Sequence, residues 1–264
     1  MNDQVIWKDL ERIVSDYVET SRKELYERWK HWPLDLTSTE LHEVVGSLLA
    51  RQVTLATQLA KAPSIWNGHV APLILRTMTD VYINLAWIFI DPIDRARKFI
   101  LYGLGQEKLE IEHRKAQMEA DGLEVANDPL IKLKETWLNS QRFEFLTEIG
   151  VGSWSGIDTR TMAEEAGCLD LYRYAYTPFS AVTHNMWHHV SKYNLVPCPN
   201  PLHRYHKIPI DAYLGIDPDY LYRAAKYVAK TFHLFDEKTG IVYSGPSAFK
   251  GLVDAFEKFG DSKS

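Results

Sequence analysis

Two sets of polar residues recur at intervals of four in stretches that are otherwise apolar or aromatic. The first set is Arg76, Asp80 and Asn84, within the apolar run at residues 70–90. Residues four apart lie on one face of a helix, so the run predicts a buried helix that carries an Arg–Asp pair. Unpaired buried ions are costly, and perturbed charges concentrate at functional sites. The pair therefore indicates either a polar contact that joins helices or a ligand-binding or catalytic site.

The second set lies at residues 169–194, a stretch that predicts one long helix in which Pro178 introduces a local kink. The set contains two histidines, His184 and His188, which are four residues apart. An imidazole has an ordinary pKa near 6.5, which suits general acid–base catalysis, and two histidines four apart can supply two metal ligands. No third ligand and no HExxH or CxxC motif accompanies them, so the sequence predicts no metal and no cofactor. The members of the set are spaced by four throughout and are Tyr172, Tyr176, Ser180, His184 and His188.

Three bases follow the Asp-Pro pair that begins at Asp91. Arg95, Arg97 and Lys98 occupy the first turns of the helix that this pair starts. The positive end of the helix dipole favours acids at that place. The bases therefore indicate an anionic neighbour, either acidic side chains or a ligand, unless they form a solvated basic face.

Helical periodicity and capping signals predict an all-α fold, a single antiparallel helical bundle with a central buried helix and a long proline-rich loop. Residues 1–264 form one domain, and no sheet is expected beyond a short hairpin near residues 241–243. Thr37 and Glu40 fit a capping box at the start of the second helix. The predicted helices are 5–32, 37–61, 70–90, 91–120, 129–149, 159–166, 169–194, 217–235 and an amphipathic helix within 244–259. The three parts of the domain are an N-terminal helical hairpin at 1–62, a core at 70–194, and the loop with the C-terminal helices at 195–264.

The proline-rich loop at residues 197–218 contains five of the twelve prolines of the chain. Long loops without secondary structure are often functional. A basic tip can contact a phosphate, whereas a merely structural loop packs across a groove. The residues of this tip are His203, Arg204, His206 and Lys207.

Composition restricts the class of protein. The formal net charge of −5 provides no general basic surface, so contact with nucleic acid requires a local patch. The two cysteines, Cys168 and Cys198, are too few for a disulfide framework and fit a reducing cytoplasm. Charges interrupt the longest apolar run, which predicts no membrane span, and no signal peptide is expected. Eight tryptophans and long amphipathic helices lead us to expect a homodimer.

Three segments of the chain, at residues 75–108, 154–167 and 172–184, carry a pattern of residues in a fixed order and spacing. In this pattern the chain resembles a widespread bacterial family of helical proteins catalogued as a domain of unknown function. The chain resembles this family from about residue 73 to residue 184. One difference is Asp80, where the family more often has Glu, and the shorter acid changes the reach of any pairing with Arg76. The residues that carry the resemblance are Arg76, Asp80, Asp91, Pro92, Arg95, Ala96, Trp154, Ser155, Gly156, Tyr176, Ser180 and His184.

The chain is also similar in style to helical RNase modules of bacterial toxin and phage-defence systems, in which an Arg and a His cleave RNA without a metal. That resemblance implies a general acid–base role for His184, charge stabilisation by Arg76 and orientation of Arg76 by Asp80. The substrate is then RNA or a nucleotide. Those modules hold Arg and His close together on one helix, whereas here the two residues must converge from two helices. The remaining residues assigned to substrate binding are Arg95, Arg97, Tyr176, Ser180 and His188.

The alternative is a non-catalytic helical interaction protein. In this interpretation Arg76, Asp80, Ser180 and His184 form one buried hydrogen-bonded network that fixes the register of two helices. Both hypotheses predict that the two helices touch. They differ in exposure, because a catalytic site must open to solvent and a structural network is sealed.

Overall fold

Helices dominate the computed structural model, which describes residues 3–141 and 152–261, and the all-α prediction is confirmed. Two 3₁₀ turns (Pro63–Ile65 and Val125–Asn127) and a π-helical segment (Tyr172–Tyr176) complete the helical structure of these residues. None of these helices is long and apolar enough to cross a lipid bilayer. The α-helices are α1 (Asp3–His31), α2 (Thr39–Ala60), α3 (Ala71–Ile88), α4 (Pro92–Ala120), α5 (Pro129–Asn139), α6 (Thr159–Glu165), α7 (Leu169–Leu171), α8 (Thr177–Thr183), α9 (Trp187–Tyr193), α10 (Asp219–Thr239) and α11 (Ala248–Asp261).

The α3 helix is the centre of the bundle, as predicted. Pro72 stands in its first turn, where a missing N–H leaves no helical hydrogen bond unmade. One face packs on α2 and α10, and the other packs on α6, the π-helical segment and α8. Each fully buried aliphatic side chain stabilises the fold by roughly 1.5 to 3 kcal/mol. The side chains of α3 with at most 1% exposure include Leu75, Met78, Ile83, Leu85 and Ile88.

A buried glutamine joins the three central helices. Gln52 of α2 donates from Nε2 to Thr231 Oγ1 of α10 at 3.0 Å and to the Met78 carbonyl of α3 at 3.3 Å. Its side chain is 1% exposed, so these bonds form in a dry environment where an unmade bond is costly. The register of α2, α3 and α10 is thus set by a polar contact as well as by apolar packing.

Two predictions about the ends of helices differ from the structure. Thr37 does not cap α2, because its N–H and hydroxyl both donate to Asp35 Oδ1, at 2.8 and 2.7 Å, and α2 begins at Thr39. The α5 helix ends at Asn139, and residues 142–149 of the predicted helix lie outside the described residues.

The predicted hairpin near residues 241–243 is also wrong, because that segment has no strand. The two strands among the described residues lie within the loop region instead. They are β1 (Leu195–Pro197) and β2 (Lys207–Pro209), paired antiparallel with Val196 opposite Ile208. No strand occurs within the described part of residues 5–192, which agrees with the helical prediction.

Candidate functional site

The first set of polar residues lies where α3 meets α8. Arg76 donates from Nε to Ser180 Oγ at 2.7 Å and from Nη1 to Asp80 Oδ2. Its guanidinium carbon stands 3.2 Å from the centroid of the Tyr176 ring, which is a cation–π contact. We call Arg76, Asp80, Tyr176 and Ser180 the Arg76 clamp. The clamp joins two segments that are 104 residues apart in sequence, and the structure thus brings together four of the predicted site residues.

The clamp is partly buried. The side chain of Arg76 is 12% exposed and that of Asp80 is 36% exposed. Burial raises the pKa of the Asp80 carboxyl above its ordinary value, and the neighbouring Arg76 guanidinium opposes this rise. Nη2 of Arg76 makes no hydrogen bond to any described residue, so this edge of the guanidinium can donate to a further anionic partner.

The π-helical segment places the Tyr176 ring against Arg76. Pro178 has no N–H and cannot complete the α-helical bond one turn back, and the wider π turn lies just before it. Within this segment the rings of Tyr172 and Tyr176 stack with centroids 4.6 Å apart. The Thr177 hydroxyl donates to the Tyr172 carbonyl at 3.0 Å. The kink predicted at Pro178 therefore takes the form of a π turn.

The second set of polar residues does not lie on one continuous helix, so the prediction of a helix at residues 169–194 is wrong. The α8 helix ends at Thr183, and His184 is its C-cap residue. Asn185 then has a positive φ of 51°, and a new helix, α9, begins at Trp187. Asparagine is among the few residues that enter this left-handed region readily. His184 and His188 are consequently not an i, i+4 pair on a single helix.

Both histidines are exposed to solvent. His184 lies one turn after Ser180, and its backbone N–H donates to the Ser180 carbonyl at 2.9 Å. Among the described residues no hydrogen bond or ion pair joins the His184 side chain to Arg76 or Asp80, so we do not count the imidazole as part of the clamp. The next histidine, His189, is buried beside His69 and Tyr193, and burial lowers its pKa.

Arg95 and Arg97 both pair with acidic side chains. Of the two anionic neighbours that the sequence allowed, acidic side chains or a ligand, the structure shows the first. Arg95 lies over the Trp87 ring at 3.6 Å and pairs with Glu165 at 3.4 Å. Arg97 pairs with Glu40 of α2 at 3.5 Å. The contacts of both arginines lie outside the Arg76 clamp. Their geometry is that of links between helices.

The Trp-Ser-Gly turn packs on the same face of α3 as the clamp, farther along the helix. The Trp154 ring meets the Trp87 and Phe99 rings edge-on, with centroids 5.2 and 4.9 Å apart. Ser155 donates to the Ile157 carbonyl at 2.7 Å, and Gly156 has a φ of 76° that glycine adopts without strain. The α3 face thus carries a polar clamp near its start and an aromatic cluster near its end.

A family model matches residues 42–198, which is more than half of the chain and includes the Arg76 clamp, His184 and His188. The chain belongs to DUF5677. This family is described as one of unknown function, and the membership confirms the resemblance to a helical domain of unknown function. No curated protein and no solved structure matches the chain.

The clamp of this DUF5677 protein yields a stability prediction. We expect Arg76→Ala to lower the free energy of unfolding by about 1 to 3 kcal/mol, since hydrogen bonds to charged groups are lost but Asp80 stays partly solvated. Replacing Arg76 and Asp80 together should cost less than the sum of the single changes. Urea denaturation of the two single variants and the double variant measures this difference. Additive losses would contradict a direct pair.

One stretch of this DUF5677 chain lacks acidic residues, a feature that the motifs did not indicate. Residues 171–210 contain no aspartate or glutamate, although 35 acids in 264 residues correspond to about five in forty. The same forty residues hold five of the ten histidines of the chain, and we call them the acid-free segment. A count of charges in a sliding window would have found it. Its four lysines and arginines are Arg173, Lys192, Arg204 and Lys207.

Proposed function

We propose that this DUF5677 protein binds single-stranded RNA on the surface formed by the acid-free segment. The main support for the proposal is that this basic segment contains no aspartate or glutamate, although the net charge of the chain is −5. Phosphates are attracted to such a patch, and a local patch is what a chain of negative overall charge requires for nucleic-acid contact.

Exposed aromatic rings in the same segment support a single-stranded ligand. Tyr174, Trp187 and Tyr205 are 76%, 71% and 88% exposed. Large rings at this exposure leave apolar surface in water, and unpaired bases stack on such rings with little dependence on sequence. A duplex would keep its bases stacked on one another and could not use these rings.

Exposed aromatic and basic side chains lie close together at the junction between α8 and α9. His184, Trp187 and His188 follow one another across the helix break, and all three are exposed. Lys192 lies one turn after His188 on the same side of α9 and is also exposed. A cavity of about 280 Å³ lies beside them, with His188, Lys192 and Tyr193 among its lining residues. A phosphate at the junction and a base in the cavity fit this arrangement.

Cleavage of the bound RNA at His184 is the catalytic part of the proposal. The His184 imidazole removes the proton of a ribose 2′-hydroxyl, and the 2′ oxygen bonds to the adjacent phosphorus as the bond to the 5′ oxygen breaks. The 5′ oxygen leaves with a proton from water, and the products carry a cyclic phosphate and a 5′-hydroxyl. Arg76 stabilises the phosphorane charge through Nη2, while Asp80 and Ser180 hold its guanidinium in place. Arg95 and Arg97 have no role in this step, because each already pairs with a carboxylate.

The position of the clamp away from the cavities supports a second candidate function. Five cavities in the described part of the chain have volumes between about 270 and 1150 Å³, and none of these five is lined by Arg76, Asp80, Tyr176, Ser180 or His184. In this candidate the protein is a helical interaction protein without catalysis, and the clamp only sets the register of α3 and α8. Its homodimerisation stays a prediction that light scattering can test.

RNA binding is tested by fluorescence anisotropy with a labelled single-stranded RNA at several salt concentrations. We expect the logarithm of the affinity to fall with the logarithm of the salt concentration by about 0.7 for each phosphate contacted. Trp187→Ala should weaken binding about 5- to 150-fold, because stacking of one base contributes about 1 to 3 kcal/mol.

Trp137→Ala is the matched control for that change. Trp137 lies on α5, outside the acid-free segment, and is 49% exposed. Its replacement should leave the affinity unchanged. Equal losses in both variants, or no binding by the unmodified protein at low salt, would reject the proposed surface.

A further inference from the structure

Three metal-ligating side chains meet at the tip of the β1–β2 hairpin. They are Cys198, His203 and His206, and one ligand atom from each lies within 4.8 Å of the other two. Cys198 Sγ and His203 Nδ1 are 3.6 Å apart. We propose that these residues, which we call the hairpin site, bind one Zn²⁺ ion. The proposal is independent of RNA binding.

The spacing of the ligand atoms fits a tetrahedral zinc ion. Zn–S and Zn–N bonds of about 2.3 and 2.0 to 2.1 Å give ligand-to-ligand distances of about 3.3 to 3.6 Å. The Cys198–His203 pair already has this separation. The remaining distances, within 4.8 Å, require shifts of roughly 1 Å, which the exposed His206 side chain can make.

The backbone holds the hairpin site in place before any ion binds. The Cys198 N–H donates to the His206 carbonyl at 3.0 Å, which closes the loop directly beyond the two strands. Two turns follow. The His203 backbone N–H donates to the Asn200 carbonyl, and the His206 backbone N–H donates to the His203 carbonyl, each at 3.0 Å. Prolines restrict φ on this side of the loop and reduce the entropy that ion binding must overcome. The prolines that flank Cys198 and Asn200 are Pro197, Pro199 and Pro201.

The ring of His203 is held from both sides. Its Nδ1 faces Cys198, and its Nε2 lies 3.3 Å from the side-chain amide nitrogen of Asn200. Asn200 is oriented by its Oδ1, which accepts the Leu202 N–H at 3.0 Å. Its amide therefore positions the His203 ring before an ion binds. When Nδ1 binds the ion, Nε2 carries the proton and can donate only to an acceptor, so the Asn200 amide must rotate to present its oxygen.

The chemistry of the ligands selects the metal. A thiolate with two imidazoles suits Zn²⁺ and is a poor site for Mg²⁺ or Ca²⁺, which prefer oxygen ligands. The acid-free segment supplies no carboxylate to compete for a place at the ion. Three protein ligands leave the fourth position to water, as in zinc sites that act on substrates.

Neither the sequence motifs nor the family points to this site. The expectation of no metal rested on the absence of CxxC and HExxH motifs, but Cys198, His203 and His206 are spaced as C-x₄-H-x₂-H across a hairpin. The family match ends at Cys198, so both histidines lie beyond it. The antiparallel pairing of β1 with β2 brings the cysteine back to the histidines.

Titration with Co²⁺ tests the hairpin site in the full chain after treatment with a chelator. We expect one equivalent of Co²⁺ to bind, with the visible bands of a tetrahedral ion and a thiolate-to-cobalt charge-transfer band, and Zn²⁺ should displace it. Cys198→Ser should remove the charge-transfer band. That variant, His203→Ala and His206→Ala should each lower the Zn²⁺ affinity at least about 100-fold in competition with a chromophoric chelator, since losses in the outer shell alone cost 10- to 100-fold.

Two control variants make the test specific. Cys168→Ser removes the other thiol, which burial keeps protonated by raising its pKa to about 11, and should leave both spectra and affinity unchanged. A His184→Ala/His188→Ala variant should also bind one equivalent. Failure of the unmodified protein to bind either ion at micromolar concentration would overturn the proposal. Unchanged binding by Cys198→Ser, or loss of binding in a control variant with an unchanged melting curve, would overturn it equally.

Discussion

Replacing Arg28 by alanine is expected to lower the free energy of unfolding by about 3 to 5 kcal/mol, because it leaves one buried and one partly buried carboxylate without their cation. Arg28 lies on α1 with a side chain only 7% exposed. Its Nε and Nη2 donate to the Asp236 carboxylate of α10 at 2.8 and 2.9 Å. Its Nη1 donates to Glu24 at 2.8 Å. One guanidinium therefore neutralises a buried acid, Glu24, and a partly buried one, Asp236.

The same guanidinium links three helices. Glu24 uses its other oxygen to accept the Ala248 N–H at the start of α11, at 2.5 Å. The guanidinium carbon also stands 4.3 Å from the centroids of the Phe232 and Tyr243 rings. Loss of Arg28 thus removes two cation–π contacts together with the ion pairs. The melting temperature should fall by roughly 6 to 20 °C, at about 2 to 4 °C for each kcal/mol in a chain of this size.

Thermal and urea unfolding measure this loss, and two variants sharpen the interpretation. Arg12→Ala on the same helix removes an arginine that is 71% exposed and should change stability by less than about 1 kcal/mol. Arg28→Lys should recover only part of the loss, because lysine cannot reproduce the bidentate contact with Asp236. A wild-type melting temperature for Arg28→Ala would contradict this account.

Replacing His184 by alanine is expected to reduce RNA cleavage by about 10²- to 10⁴-fold, the usual contribution of a general acid or base. The melting temperature should stay the same, because the imidazole is exposed and has no hydrogen bond or ion pair with the Arg76 clamp among the described residues. EDTA at saturating RNA should not affect the rate, since the proposed chemistry needs no metal. Saturation matters here because loss of an ion at the hairpin site can weaken RNA binding without touching the chemical step.

His113→Ala is the matched control for His184. His113 is an exposed histidine on α4, outside the acid-free segment, and its loss should leave cleavage unchanged. A His184→Ala variant with full activity and a normal melting curve would remove His184 from the proposed chemistry. Absence of cleavage by the unmodified protein, with RNA binding intact, would leave only the binding part of the proposal.

Local sequence signals determined much of the helical framework. The apolar run that contains Arg76 and Asp80 predicted α3 and the contact of this pair, because residues four apart on a helix meet whatever surrounds them. The Asp91-Pro92 pair predicted the start of α4. The helix predicted at 159–166 is α6, and Asp158 caps it by accepting the Thr161 N–H at 2.8 Å. Such signals act within one helical turn, so the sequence alone suffices.

The single helix predicted at residues 169–194 was wrong because the backbone departs from α-helical geometry within this stretch. The spacing of four from Tyr172 to His188 predicts one helix only while the backbone stays α-helical. A π turn before Pro178 shifts the register, and Asn185 breaks the helix in the left-handed region. The positions of His184 and His188 relative to the clamp therefore followed from backbone details that side-chain periodicity does not encode.

The contacts that define the sites were decided by the tertiary structure. Arg76 meets Ser180 across 104 residues, and Arg28 meets Asp236 across 208. A single sequence does not specify which of its 30 bases meets which of its 35 acids, because that depends on how whole helices pack. Cys198 likewise reaches His203 and His206 only because β1 pairs with β2. The sequence by itself determined most of the helices and the burial of Arg76, because those signals are local. The packing of distant segments decided which partners the buried charges have.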